Sequence, residues 1–140
     1  MLRIPRQLLE EMLAHAREEA PRECCGMIAA RDDAAVAVHR ITNVAVNRKT
    51  AYVMHGQEMY DAMQAIDEAG LEIGAIYHSH PRSEPVPSPT DVNLARNWPG
   101  LRWLIVGLDG DAPVARTWRI EGTAFHEDPH EVDDGARIDA

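Results

Sequence analysis

The sequence predicts a mixed α/β domain, an α+β arrangement in which one mixed sheet is flanked by helices. Windows of helical apolar spacing alternate along it with short apolar runs that read as strands. Its 140 residues suffice for a single core, and no internal repeat, low-complexity block or linker divides them.

The first expected element is an amphipathic helix over 5–20. Pro5 suits its first turn, Leu8, Leu9, Met12, Leu13 and Ala16 share one face, and Pro21 stops it. His15 falls near the polar side and is expected in solvent. "CCGMIAA" (24–30) and "AAVAVHRI" (34–41) read as paired strands across a turn at Arg31, Asp32 and Asp33, with His39 on the polar alternation. "AYVMH" (51–55) reads as a further strand. A second helix follows over 56–70, with Met59, Ala62, Met63, Ile66 and Ala69 at helical spacing and Gly70 as its cap. "LEIGAIYHSH" (71–80) is a strand. A short helix starts near Ser88 and runs to about Asn97, ended by Trp98-Pro99-Gly100. Residues 101–108 and 113–120 form a hairpin across Asp109-Gly110-Asp111, with Trp103 and Trp118 as packing residues. The expected order is α-β-β-β-α-β-α-β-β.

Bulk properties exclude several function classes. A net charge of −9 argues against a nucleic-acid phosphate backbone as partner. No apolar run is long enough to span a bilayer, and the N-terminal segment lacks the apolar stretch of a signal peptide, so a soluble protein of the cytoplasm is expected. Seven acids against Arg137 make residues 121–140 an acidic segment of net −6, expected as a solvated, poorly ordered tail beyond a domain at 1–120. The only cysteines, Cys24 and Cys25, are adjacent. On a strand they face opposite sides, which suits burial rather than a disulfide framework.

The chemistry is concentrated in "YHSHPRSEPVPSPTD", residues 77–91. Residues two apart on a strand share a face about 6.8 Å apart, so His78 and His80 aim both imidazoles at one point while Ser79 faces away. Two nitrogens do not make a catalytic metal site; zinc takes a third protein ligand and keeps a position for water. Asp91 is the natural third ligand. Pro81, Pro85 and Pro87 stiffen the connecting loop, which returns the chain so that the next helix faces the strand end. Ser88 reads as that helix's N-cap, Pro89 as its first residue and Asp91 as its third, so capping fixes where Asp91 points. "HEDPH" (126–130) has the spacing of another zinc motif, but that motif works only on a helix, and Pro129 stands against one. The His-x-Glu and Cys-x-x-Cys of zinc deaminases are absent.

His78-x-His80, seven residues, Ser88, two residues and Asp91 resemble the signature of the JAMM (MPN+) zinc metallopeptidases. The glutamate that this family places upstream is matched by Glu23, in Glu23-Cys24-Cys25-Gly26. The resemblance covers about residues 5–120. It implies an MPN/JAB domain of cytidine-deaminase-like architecture, with one Zn2+ and a bound water held by His78, His80 and Asp91. It also implies Glu23 as the general base that later protonates the leaving amine, and Ser88 as hydrogen-bond donor to the oxyanion. The compact chain, its "YHSH…PS-x-TDV-x-LA" and the "AHAR" of the first helix look most like the bacterial branch acting on ubiquitin-like sulfur-carrier proteins. One activity of that branch releases cysteine from the carrier's C-terminal Gly-Gly tail. "AYVMH" is the candidate edge for that tail. Removal of ubiquitin-like conjugates from lysines and a non-catalytic MPN scaffold are the alternatives. Oligomeric state cannot be read from the residues.

Overall fold

The structure, a computed structural model, describes residues 1–134. Strand β1 (Arg3–Pro5) leads into helix α1 (Arg6–Glu19), followed by the hairpin β2 (Cys25–Arg31) and β3 (Ala34–Ile41). Helix α2 (Gly56–Glu68), β4 (Glu72–His80), α3 (Pro89–Leu94) with a 3-10 turn (Ala95–Asn97), β5 (Arg102–Gly107) and β6 (Val114–Glu121) come next. Short strands β7 (Ala124–Glu127) and β8 (Glu131–Asp133) end the described chain. The eight strands form one mixed sheet in the order β7-β6-β5-β4-β2-β3-β1-β8. No helix among the described residues is long and apolar enough to cross a membrane.

Strand alternation sorts the core into two layers. Cys24, Ile28, Ala30, Ala75, Tyr77, Leu104 and Val106 pack on one face with Leu9, Met12 and Ala16 of α1. Cys25, Met27, Ala29, Ile76 and Trp103 pack on the other with Ala62 and Ile66 of α2 and Ala95. The adjacent cysteines therefore do face opposite sides, and both are buried and free. His78 and His80 share the parity of Ile76, which puts them on the side of α2 and α3. In β2, Gly26 lies opposite Tyr77. A Cβ there would fall on the Tyr77 ring and lie 2.5 Å from the His39 carbonyl oxygen. Backbone cannot yield as a flexible side chain can, so Gly26→Ala should lose about 3 kcal/mol of stability. A denaturant titration checks this, and a loss under 0.5 kcal/mol would contradict the packing.

Four expectations change. Residues 51–55 are not a strand: their one ladder pairing is the isolated bridge Asn43–Met54, and the backbone of Val53 and His55 bonds singly to Val44 and Thr42. β1 is an additional strand, three residues paired in parallel with β3 and β8. Residues 121–134, expected as a poorly ordered tail, continue the sheet through β7 and β8, and Asp128 there accepts hydrogen bonds from Arg102 and Arg119. The rest of that segment, 135–140, lies outside the described residues. His15 is buried, with Nδ1 2.8 Å from the Tyr77 hydroxyl. The other helices and strands stand within a few residues of their expected places. Gly70 caps α2 at φ 72°, with its N–H and that of Leu71 returning to Asp67 and Ile66 carbonyls.

Candidate metal centre

Three elements meet at the C-terminal end of β4. The strand delivers His78 and His80, both buried. His80 Nδ1 lies 2.8 Å from the Glu84 carbonyl, which can only accept, so the ring proton sits on Nδ1 and Nε2 faces inward. The loop then crosses the end of β5. It can do so because Gly107 has no side chain, since a Cβ there would come within 2.6 Å of Pro85. Trp118 Nε1 donates to the Pro85 carbonyl at 2.9 Å and ties the loop down.

Helix α3 begins with a full capping box. Asp91 N–H donates to Ser88 Oγ at 3.1 Å, and Ser88 N–H donates to Asp91 Oδ2 at 3.0 Å. Capping thus turns the Asp91 carboxylate toward the histidines: Oδ1 is 3.0 Å from His78 Nε2 and Oδ2 is 2.9 Å from His80 Nε2. Ligand atoms of the three residues lie within 4.8 Å of one another, a group that could hold a metal ion. It is the one such group among the described residues. The "HEDPH" stretch forms none: Glu127 pairs with Arg116, and His130 Nδ1 meets Thr117 Oγ1.

The donor set fits a divalent cation of zinc type, with two imidazole nitrogens and a carboxylate. His78 Nε2 and His80 Nε2 face each other at 3.2 Å, where two lone pairs repel unless a proton or a cation stands between them. Burial disfavours charge on His80, yet the hydrogen bonds to Asp91 and to Glu84 O and the charges of Asp91 and Glu23 raise its pKa overall. Burial likewise opposes ionisation of Asp91, but His78, His80 and the Ser88 N–H hold it well below the usual carboxylate range.

Glu23 lies just before β2, whose first residue, Cys25, sits opposite His78. It is 5% exposed, and its Oε1 has no hydrogen-bond partner among the described residues. Burial, reinforced by Asp91 and opposed by His80, pushes its carboxyl up to about 8. The Glu23-Cys24 backbone is tied to the histidine strand through Ser79: its Oγ accepts from Cys24 N–H at 2.8 Å, and its N–H donates to Cys24 O at 3.2 Å. A polar cleft of about 370 Å³ opens beside Glu23, with Arg22, Arg48 and Glu58 among its lining. Sequence reasoning missed Tyr52, which stacks on His78 at 4.6 Å from a segment expected to be a strand.

A buried His-His-carboxylate cluster at the end of a sheet strand, near a buried glutamate carboxyl, is the arrangement of a metallopeptidase of the JAMM class. Residues 5–121 match the prokaryotic homologues of the JAB domain, and the chain belongs to that family. It is 42% identical to the desampylase of Haloferax volcanii over 84% of this chain and 86% of that one. It is 39% identical to a probable TtuB-protein conjugate cleaving protease of Thermus thermophilus, over 79% and 72%. It is 32% identical to the CysO-cysteine peptidase of Mycobacterium bovis, over 94% and 91%. Among solved structures, the protein DSY2949 of Desulfitobacterium hafniense superposes with a TM-score of 0.85 at 28% identity, covering 96% of this chain and 94% of that one.

Proposed function

We propose that this protein is a zinc-dependent peptidase that hydrolyses the bond after the C-terminal glycine of a ubiquitin-like protein in the cytoplasm. The observation that carries the reading is the convergence of His78, His80 and Asp91 within 4.8 Å near the buried Glu23 carboxyl, whose Oε1 has no hydrogen-bond partner among the described residues. His78, His80 and Asp91 would hold one zinc ion. When bound, that ion supplies a Lewis acid that acidifies a water and polarises the scissile carbonyl.

The chain's own residues do the rest. Glu23 takes a proton from the attacking water and returns it to the leaving amine. Its poor solvation supports this role, because a carboxyl without hydrogen-bond donors is a stronger base than one in water. Ser88 Oγ accepts from Asp91 N–H, which leaves its own proton free to donate to the oxyanion.

The leaving group has two readings. The relatives at 42% and 39% identity favour a conjugate in which the glycine is joined to a lysine amine, one of them being named for cleaving a protein conjugate. Release of free cysteine from a sulfur carrier is supported by the 32% relative. One experiment separates them. The zinc-loaded protein is incubated with a ubiquitin-like protein linked to a lysine side chain, and in parallel with the same protein extended by one cysteine. Intact masses are then compared with those from Glu23→Gln. Cleavage of the lysine-linked substrate is the expected result. Cleavage of the cysteine form alone establishes the second reading, and a zinc-loaded chain that cuts neither overturns the proposal.

A further inference from the structure

We propose that Asn43 is a positioning residue that sets the direction of the Glu23 carboxyl. The inference rests on the reading of Glu23 as general base and adds a residue to it. Asn43 follows β3 by two positions and is buried. Its amide makes four hydrogen bonds, the full capacity of the group. Nδ2 donates to the Glu23 carbonyl at 2.9 Å and to the Ala51 carbonyl at 3.1 Å. Oδ1 accepts from Ala45 N–H and Val53 N–H, both at 3.0 Å.

The loop organised in this way holds Glu23 from a second side, because Glu23 N–H donates to the Arg48 carbonyl at 2.7 Å. Both backbone polar groups of Glu23 therefore end on the segment 43–51, although β2 itself starts two residues later. Among the described residues Glu23 Oε1 has no hydrogen-bond partner to steer it. With no such tether on that oxygen, the backbone at residue 23 decides where the carboxyl points. The same loop carries Tyr52 against His78, so one buried amide aligns the base with one wall of the histidine cluster.

The test uses the full-length, zinc-loaded protein and the substrate that wild type cleaves. Asn43→Asp keeps the shape and an acceptor oxygen but places an oxygen against the carbonyls of Glu23 and Ala51, which removes the hold on Glu23. Asn43→Ser serves if that variant does not fold. Zinc content, melting temperature, KM and kcat are measured for each. The expected result is one zinc per chain, KM within about twofold of wild type, and kcat lower by roughly 10- to 100-fold, the scale of a misplaced catalytic group. In a Glu23→Gln background the same substitution should leave the residual rate unchanged, because a residue that acts through Glu23 has nothing left to act on. An unchanged kcat, loss of zinc, or a further drop in the Glu23→Gln background each overturns the proposal. Glu23→Gln alone distinguishes this failure from the other one: if it turns over like wild type, the reading of Glu23 itself falls and the role of Asn43 with it.

Discussion

Glu23→Gln should leave zinc in place and lower kcat by about 10²- to 10⁴-fold, the usual contribution of a positioned acid–base group. The amide keeps the size of the carboxyl but cannot take a proton from water. Metal analysis beside turnover on one preparation checks this. Loss of zinc in the variant would mean that Glu23 holds the metal rather than serving the reaction. The variant should also be more stable than wild type at alkaline pH when both are stripped of metal. The Glu23 carboxyl is raised from 4.5 to about 8 by burial in the fold. Between those values the folded chain holds a proton that the unfolded chain has released, so raising the pH favours unfolding. The linked stability is complete below pH 4.5 and gone once the pH has passed 8. Glutamine has no such dependence, so the melting temperatures should meet near pH 4.5 and separate toward pH 9, with the variant higher. Equal melting temperatures at both extremes would show that Glu23 is not desolvated.

Asp91→Asn should abolish zinc binding while preserving the helix that carries it. The amide oxygen still accepts from Ser88 N–H, so the cap survives, but the negative charge between two histidines is lost. Removing even a hydrogen-bond partner of a metal ligand costs 10- to 100-fold in affinity, so removing the anionic member of the candidate set should cost more than about 100-fold. Activity should disappear with the metal, and circular dichroism should be unchanged. In wild type, zinc should leave on acidification, because a proton on His80 Nε2 competes for the same position and Asp91 helps to hold it there. A variant that keeps stoichiometric zinc would remove Asp91 from the ligand set.

The candidate ligands were legible because their signals are local. Strand parity alone puts His78 and His80 on one face, and Ser-Pro-Thr-Asp announces a capped helix whose third residue turns back toward its own start. What lay outside the sequence's reach is long-range. Nothing near Asn43 reveals that its amide will reach Glu23, twenty residues earlier. The apolar run at 51–55 reads as a strand, but the Val53 N–H that a neighbouring strand would have satisfied goes instead to the Asn43 side chain. β1, β7 and β8 are three or four residues long, too short for periodicity to register, and β1 is recruited by partners about thirty and one hundred and thirty positions away. His15 looked solvated because it falls near the polar side of its helix; the Tyr77 hydroxyl that it meets comes from β4, 62 residues further along the chain.

β7 and β8 are separated by three residues, yet they stand at opposite ends of the strand order. The sheet is therefore curled so far that a three-residue link spans from one margin to the other, with Asp128 N–H on the Thr117 carbonyl and Glu131 N–H on that of Leu2. During synthesis this makes β1 wait for β8. Leu2 and Ile4 are fully enclosed in the finished molecule, but the outer side of their strand stays uncovered until residue 133 has left the ribosome. Up to that moment the nascent chain presents an open margin to its neighbours, and closing it is a task for the three residues of β8.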